Sequence, residues 1–254
     1  MAMAAESPSS AASSQFASTQ WSVVRQAASA DPALARDALA ELCSQYWFPL
    51  YAYVRRRTSA GEAEDLTQAF FAHLLSSPIV SSAERAQGKF RAYLLACCNH
   101  FLANERAAAA AQKRGGGQPA LPLDSLLSFD PREAVRRYDL QPATEQTPER
   151  LFDRQWALAL LEAALVELAG ECGAAGDGPL FERLKPMLAA TGEAPARYAA
   201  IAAELGLSED AVKKSAQRLR QRYGAILRRR VGATVSAPGQ LEEEIRDLFA
   251  ALRS

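Results

Sequence analysis

The chain has 254 residues, 29 basic against 29 acidic, so its formal net charge is zero, and 49% of it is hydrophobic against 23% charged. That is the make-up of an ordinary soluble protein with room for one large core or two small ones. It excludes a membrane span: no apolar run reaches the roughly 18 residues a bilayer crossing needs, and even residues 156–169 are broken by Glu162 and Glu167.

Residues 1–18 are rich in Ala and Ser and lack the basic and apolar regions of a secretory leader, so a disordered tail is expected there. Beyond it, Ala, Leu, Arg and Glu recur at three-and-four spacing and period-two runs are scarce, which predicts an all-α protein. A first helix is expected after Thr19 as cap, through Trp21, Val24 and Ala28. A second, from about Pro32, carries Leu34, Leu39, Leu42, Tyr46, Phe48, Leu50 and Val54 and ends in Arg55-Arg56-Arg57. The aromatics Tyr46, Trp47, Phe48, Tyr51 and Tyr53 alternate around this helix, so they are expected to fill core and not to form one stacking platform.

Ser59 followed by Glu62 is a capping-box pattern for a third helix with Leu66, Ala69, Phe70, His73 and Leu74 on its apolar side. A fourth helix is expected from about Lys89 through Phe90, Leu94, Cys97, Phe101 and Leu102 toward Arg114. Together these make a helical domain over 19–114. Three glycines at 115–117, then Pro119, Pro122, Pro131 and Pro142, mark 115–146 as a flexible linker. Thr147 then Pro148 is a cap followed by proline at the first helical position, so a second helical domain is expected over 147–231. Residues 232–254 form an extension whose Leu241, Ile245, Leu248 and Leu252 share one face, with packing as the default expectation. The cysteines Cys43, Cys97, Cys98 and Cys172 have no C-x-x-C spacing and read as reduced core residues of a cytoplasmic protein.

The most informative segment is 199–230. Ile201, Ala202 and Leu205 form a short buried face, Gly206 allows a tight corner, Leu207 is expected to tuck inward, and Ser208 can cap the next helix. This is helix-turn-helix spacing. In the second helix Val212, Ala216, Leu219, Tyr223 and Ile226 make one apolar stripe, so Lys213, Lys214, Gln217, Arg218 and Gln221 point outward. From 211 to 230 every charged residue is positive: Lys213, Lys214, Arg218, Arg220, Arg222, Arg228, Arg229 and Arg230. Something negative is expected against this helix, with base edges met by its N-terminal donors and phosphates by Arg220, Arg222 and the later arginines.

Two further motifs accompany it: Glu64-Asp65-Leu66-Thr67-Gln68-Ala69-Phe70-Phe71 and Lys89-Phe90-Arg91-Ala92-Tyr93-Leu94. In this order the three resemble regions two and four of a bacterial RNA polymerase sigma factor of the extracytoplasmic-function group, over roughly 19–114 and 151–231. The resemblance implies two small helical domains joined by a flexible linker. It implies docking of Asp65, Gln68 and Phe70 on the clamp helices of the largest polymerase subunit, and capture of melted minus-ten promoter DNA by Lys89, Arg91, Asn99, His100, Asn104 and Arg106. Ser208, Lys213, Lys214, Gln217, Arg218, Arg220 and Arg222 would then read minus-thirty-five duplex. Ala69 stands where the family usually has an acid, His100 where it commonly has Asn, and Asn104 where Asp is frequent, so the identity of the captured base is left open. The expected partners are core polymerase and promoter DNA, with an anti-sigma factor left open and no membrane. With no glycine-rich phosphate loop, no metal-spaced His/Cys set and only His73 and His100 as imidazoles, neither enzyme activity nor a cofactor or metal is expected. The alternatives are a helix-turn-helix regulator acting without polymerase and a helical scaffold.

Overall fold

A computed structural model describes residues 20–27, 29, 31–76, 88–112, 131–141, 145–188 and 195–253. The expected tail at 1–18, the cap at Thr19, Ala28, Lys113, Arg114 and residues 115–130 of the expected linker lie outside the described residues. The fold is all-α, with helices α1 (Gln20–Ala27), α2 (Pro32–Arg55), α3 (Ala60–Ser76), α4 (Phe90–Gln112), α5 (Pro131–Asp139), α6 (Pro148–Ala174), α7 (Gly178–Leu184), α8 (Pro195–Leu205), α9 (Glu209–Gly232) and α10 (Leu241–Arg253). Among the described residues none of these helices is long and apolar enough to cross a membrane.

Local chemistry accounts for the helix starts. Asp31 caps α2, its Oδ1 accepting from Ala33 N at 2.9 Å, with Pro32 at the first helical position. Ser59 Oγ accepts from Glu62 N at 3.4 Å at the head of α3. Thr147 Oγ1 accepts from Arg150 N at 3.3 Å, and Pro148 opens α6. Residues 131–139, inside the expected linker, form α5 instead: Pro131 suits a helix start, and Val135 and Tyr138, three apart, pack on the main core. Tyr138 meets Tyr51 edge-on at 6.0 Å, and the Arg137 guanidinium lies 4.5 Å over Phe48.

The largest core joins α1, α2, α3, α4, the N-terminal half of α6, Val231 and α10. The aromatics of α2 fill it: Tyr46, Trp47, Tyr51 and Tyr53 are buried and Phe48 is half-buried. Phe152, Trp156 and Leu160 of α6 belong to this same core, so the packing boundary falls inside α6 and not at the expected linker. The reason is that α6 is 27 residues long with apolar positions along its whole length, and its first half lies against α2. Its second half, with Ala164, Leu168 and Cys172, packs with Phe181 and Ile226. A third cluster joins Leu184, Met187, Tyr198, Ile201, Ala202, Val212 and Ala216.

The segment after α9 returns to the N-terminal half. Phe90 N donates to Thr234 O at 2.9 Å, Ser236 N to Gly88 O at 3.2 Å and Gln20 N to Ala233 O at 2.8 Å, while Lys89 and Val235 form an isolated antiparallel bridge. Helix α10 then lays Leu248, which is buried, and Leu241, Ile245 and Leu252 onto the main core.

Candidate nucleic-acid interface

The turn between α8 and α9 is built from three residues. Gly206 takes φ +66°, which favours glycine, and Leu207 N donates to Ala202 O at 2.9 Å. Ser208, extended at φ −77° and ψ 150°, caps α9 by accepting from Ala211 N at 3.2 Å, and Glu209 and Asp210 fill the first turn, where the helix dipole favours acids. Leu207 does not tuck inward: it is 42% exposed, because the corner is closed by the Ile201, Ala202 and Val212 cluster beneath it.

Along α9, Val212, Ala216 and Ile226 are buried and Leu219 and Tyr223 half-buried, leaving Lys213, Lys214, Gln217, Arg218 and Gln221 exposed on the opposite side. Lys213 Nζ lies 2.8 Å from Glu209 Oε1 one turn earlier, and Arg218 Nη2 donates to Ser215 Oγ at 3.1 Å. Arg220 does not face outward with them. Its Nη2 donates to Met187 O at 3.1 Å and to Tyr198 Oη at 3.2 Å, tying α9 to the segment after α7 and to α8.

The expected negative counterpart of the C-terminal half of α9 is found within the chain. Arg222 grips Glu171 through two nitrogens, with Nε 2.7 Å from Oε2. Arg229 and Arg230 share Glu167, the latter with Nη2 at 2.8 Å from Oε2, and Arg228 pairs with Glu242 of α10. The hydrogen bond from Arg222 holds the Glu171 carboxyl below its usual range. Burial raises that of Glu167, yet Arg229 and Arg230 outweigh it and the net shift is downward. Arg222, Arg228, Arg229 and Arg230 thereby share three carboxylates and Lys213 pairs with Glu209, so the exposed donor face of Lys213, Lys214, Gln217, Arg218 and Gln221 lies in the N-terminal half of α9.

The residues expected at melted DNA are placed in two ways. His100, Asn104 and Arg106 are exposed on α4, with Asn104 Nδ2 and His100 Nδ1 at 3.2 Å. Lys89 and Arg91 are not open to solvent as expected. Lys89 Nζ lies 2.7 Å from Glu243 Oε1 and 2.5 Å from Asp247 Oδ2. Arg91, 9% exposed, donates through Nε to Glu244 Oε1 at 2.8 Å and through Nη2 to Asp247 Oδ2 at 2.8 Å, pairs with Asp153, and covers Trp156 at 4.6 Å. Burial opposes both charges, but the carboxylates outweigh it and raise both pKa values.

Asn99 is likewise engaged: its Oδ1 accepts from Tyr53 Oη at 2.5 Å and from Arg57 Nη1 at 2.8 Å, while Arg57 Nη2 reaches Glu149 Oε1 of α6 at 2.6 Å and its guanidinium lies 4.2 Å from the Tyr53 ring. Burial pushes the Tyr53 phenol up against the pull of Arg57 and Asn99.

Of the expected docking residues, Asp65 is exposed and Gln68 half-buried. Phe70 is 1% exposed and packs on Phe71 at 5.9 Å and Phe101 at 5.7 Å, so its ring is core and not a surface contact. Glu149, Asp153, Glu243, Glu244 and Asp247 organise these cations; the last three belong to the acidic cluster 242–247 on the last helix, whereas Glu149 and Asp153 carry no sequence signal of the role. Comparison with family models, with curated proteins and with solved structures gives no match to this chain.

Proposed function

We propose that this chain is a transcription initiation factor of the sigma type, which reads duplex promoter DNA with the first turns of α9 and relies on RNA polymerase for the remainder of its affinity. The single observation carrying this reading is the α8–α9 pair. A capped helix with its apolar stripe buried presents Lys213, Lys214, Gln217, Arg218 and Gln221 together to solvent. Long donors at a helix N-terminus match major-groove base edges and the phosphates beside them. Zero net charge accords with dependence on a larger assembly, since unaided duplex binding generally draws on a positive balance. Asp65 and the exposed part of α4 are then the surfaces left for polymerase and melted DNA.

The test is promoter-directed transcription with purified core polymerase. The K213A/K214A/R218A variant is expected to lose at least about tenfold in promoter binding by the holoenzyme, with a shallower salt dependence. An unchanged start-site preference overturns the reading. The enclosure of Lys89 and Arg91 by carboxylates favours a second reading, a DNA-binding regulator that uses α9 alone. Specific operator binding that is equally tight with and without core polymerase selects it.

A further inference from the structure

We propose that residues 233–253 are an autoinhibitory latch: the α10 carboxylates occupy Lys89 and Arg91 in place of the phosphates of a single strand, and the site engages nucleic acid only when α10 withdraws. This rests on the reading above in one respect, that the competing polyanion is a nucleic acid.

Three observations carry it. The two cations lie at the start of α4, the helix whose later turns expose His100, Asn104 and Arg106, and they are met by Glu243, Glu244 and Asp247, which share one face of α10, and by Asp153 of α6. Four carboxylates meet these two cations, with Arg150 lining the same cleft, so the charges of Lys89 and Arg91 are answered within the chain and the closed site offers a phosphate no positive charge to spare. Opening reverses this: Lys89 and Arg91 then face Asp153 alone, and a net positive charge is left.

The contact is also graded in a way that permits release. Glu243 and Asp247 are 58% and 40% exposed at the side chain, so water and salt screen the rim, while Glu244 is fully buried beneath them. The latch is the terminal element of the described chain, and its backbone attachment is the short ladder at 88–90 and 234–236. Withdrawal also uncovers the Leu241, Ile245, Leu248 and Leu252 face, so the open form is a minority state that a bound polyanion must select. A polyanion binding only the open form shifts the population toward it, and by reciprocity the latch weakens that polyanion by the same factor.

The test uses the full chain, its E243Q/D247N variant and the same variant carrying Lys89→Ala, probed with oligothymidylate of about 20 nucleotides and with heparin. The latch requires three results. E243Q/D247N binds oligothymidylate about tenfold more tightly than wild type, Lys89→Ala cancels the gain, and saturating oligothymidylate speeds amide exchange across residues 241–253 of the wild type. Unchanged affinity in E243Q/D247N, or bound oligothymidylate that leaves α10 exchange unaltered, overturns the latch and leaves a structural brace. Release of α10 by heparin but not by oligothymidylate keeps the latch and sinks the nucleic-acid reading.

Discussion

Arg91 shows what one residue does when its charge is enclosed. Its guanidinium is held by Glu244, Asp247 and Asp153 and covers the Trp156 ring, and Glu244 is itself fully buried. Glu244→Ala removes two buried charged hydrogen bonds while Asp247 and Asp153 still meet Arg91, so it is expected to destabilise by about 2–3 kcal/mol, whereas Glu243→Ala at the rim is expected to cost less than about 1 kcal/mol. Denaturant midpoints of the two variants check this, and equal midpoints would contradict it. Asp247 and Asp153 titrate in opposite directions. Burial raises Asp247, but the hydrogen bond and charge of Lys89 and the charge of Arg91 outweigh it and the folded value lies below 3.8. Its ionised form therefore stabilises the fold above the ordinary carboxylate pKa of about 3.9, and that contribution is lost as pH falls through the lower folded value. For Asp153 burial wins over Arg91, the folded value is raised, and acidification through it favours the fold. The stability deficit of Asp247→Asn is accordingly expected to be full at neutral pH and to vanish in strong acid. A deficit that grows on acidification would refute the assignment.

At the scale of elements, the α8–α9 corner depends on Gly206. A Cβ there meets nothing within 4 Å, so the penalty of substitution is conformational, from φ +66°, and not steric. Gly206→Ala is expected to cost roughly 1–2 kcal/mol, read as a lowered unfolding midpoint. An unchanged midpoint would show that the corner relaxes. This element was legible in the sequence because cap, turn glycine and apolar stripe all lie within one stretch of chain. The same holds for the starts of α2 and α6 at Pro32 and Pro148. Helix α5 was not, since the prolines around it read as linker, and its Val135 and Tyr138 gain meaning only from the core they touch. Phe70 is interior, as its place on the apolar side of α3 predicts, and the surface docking that the resemblance implied for it is not available to its ring.

Across the whole molecule, zero net charge resolves into paired surfaces. Glu167 and Glu171 of α6 and Glu242 of α10 pair with the four arginines of the far half of α9, while Glu243, Glu244 and Asp247 enclose the start of α4. Helix α6 acts as the spine, its first half in the main core and its second half under α9. Taken alone, the sequence determined what depends on near neighbours: the helical class, the caps at Ser59, Thr147 and Ser208, the aromatic filling of α2, the outward donors of α9 and the apolar side of the last helix. Only the tertiary structure decided which cations remain open. Lys89 and Asp247 are 158 positions apart, and an ion pair over that separation exists only after packing has brought α10 to α4. Periodicity records which face of a helix is polar, but the charge that meets that face is set by the partner helix.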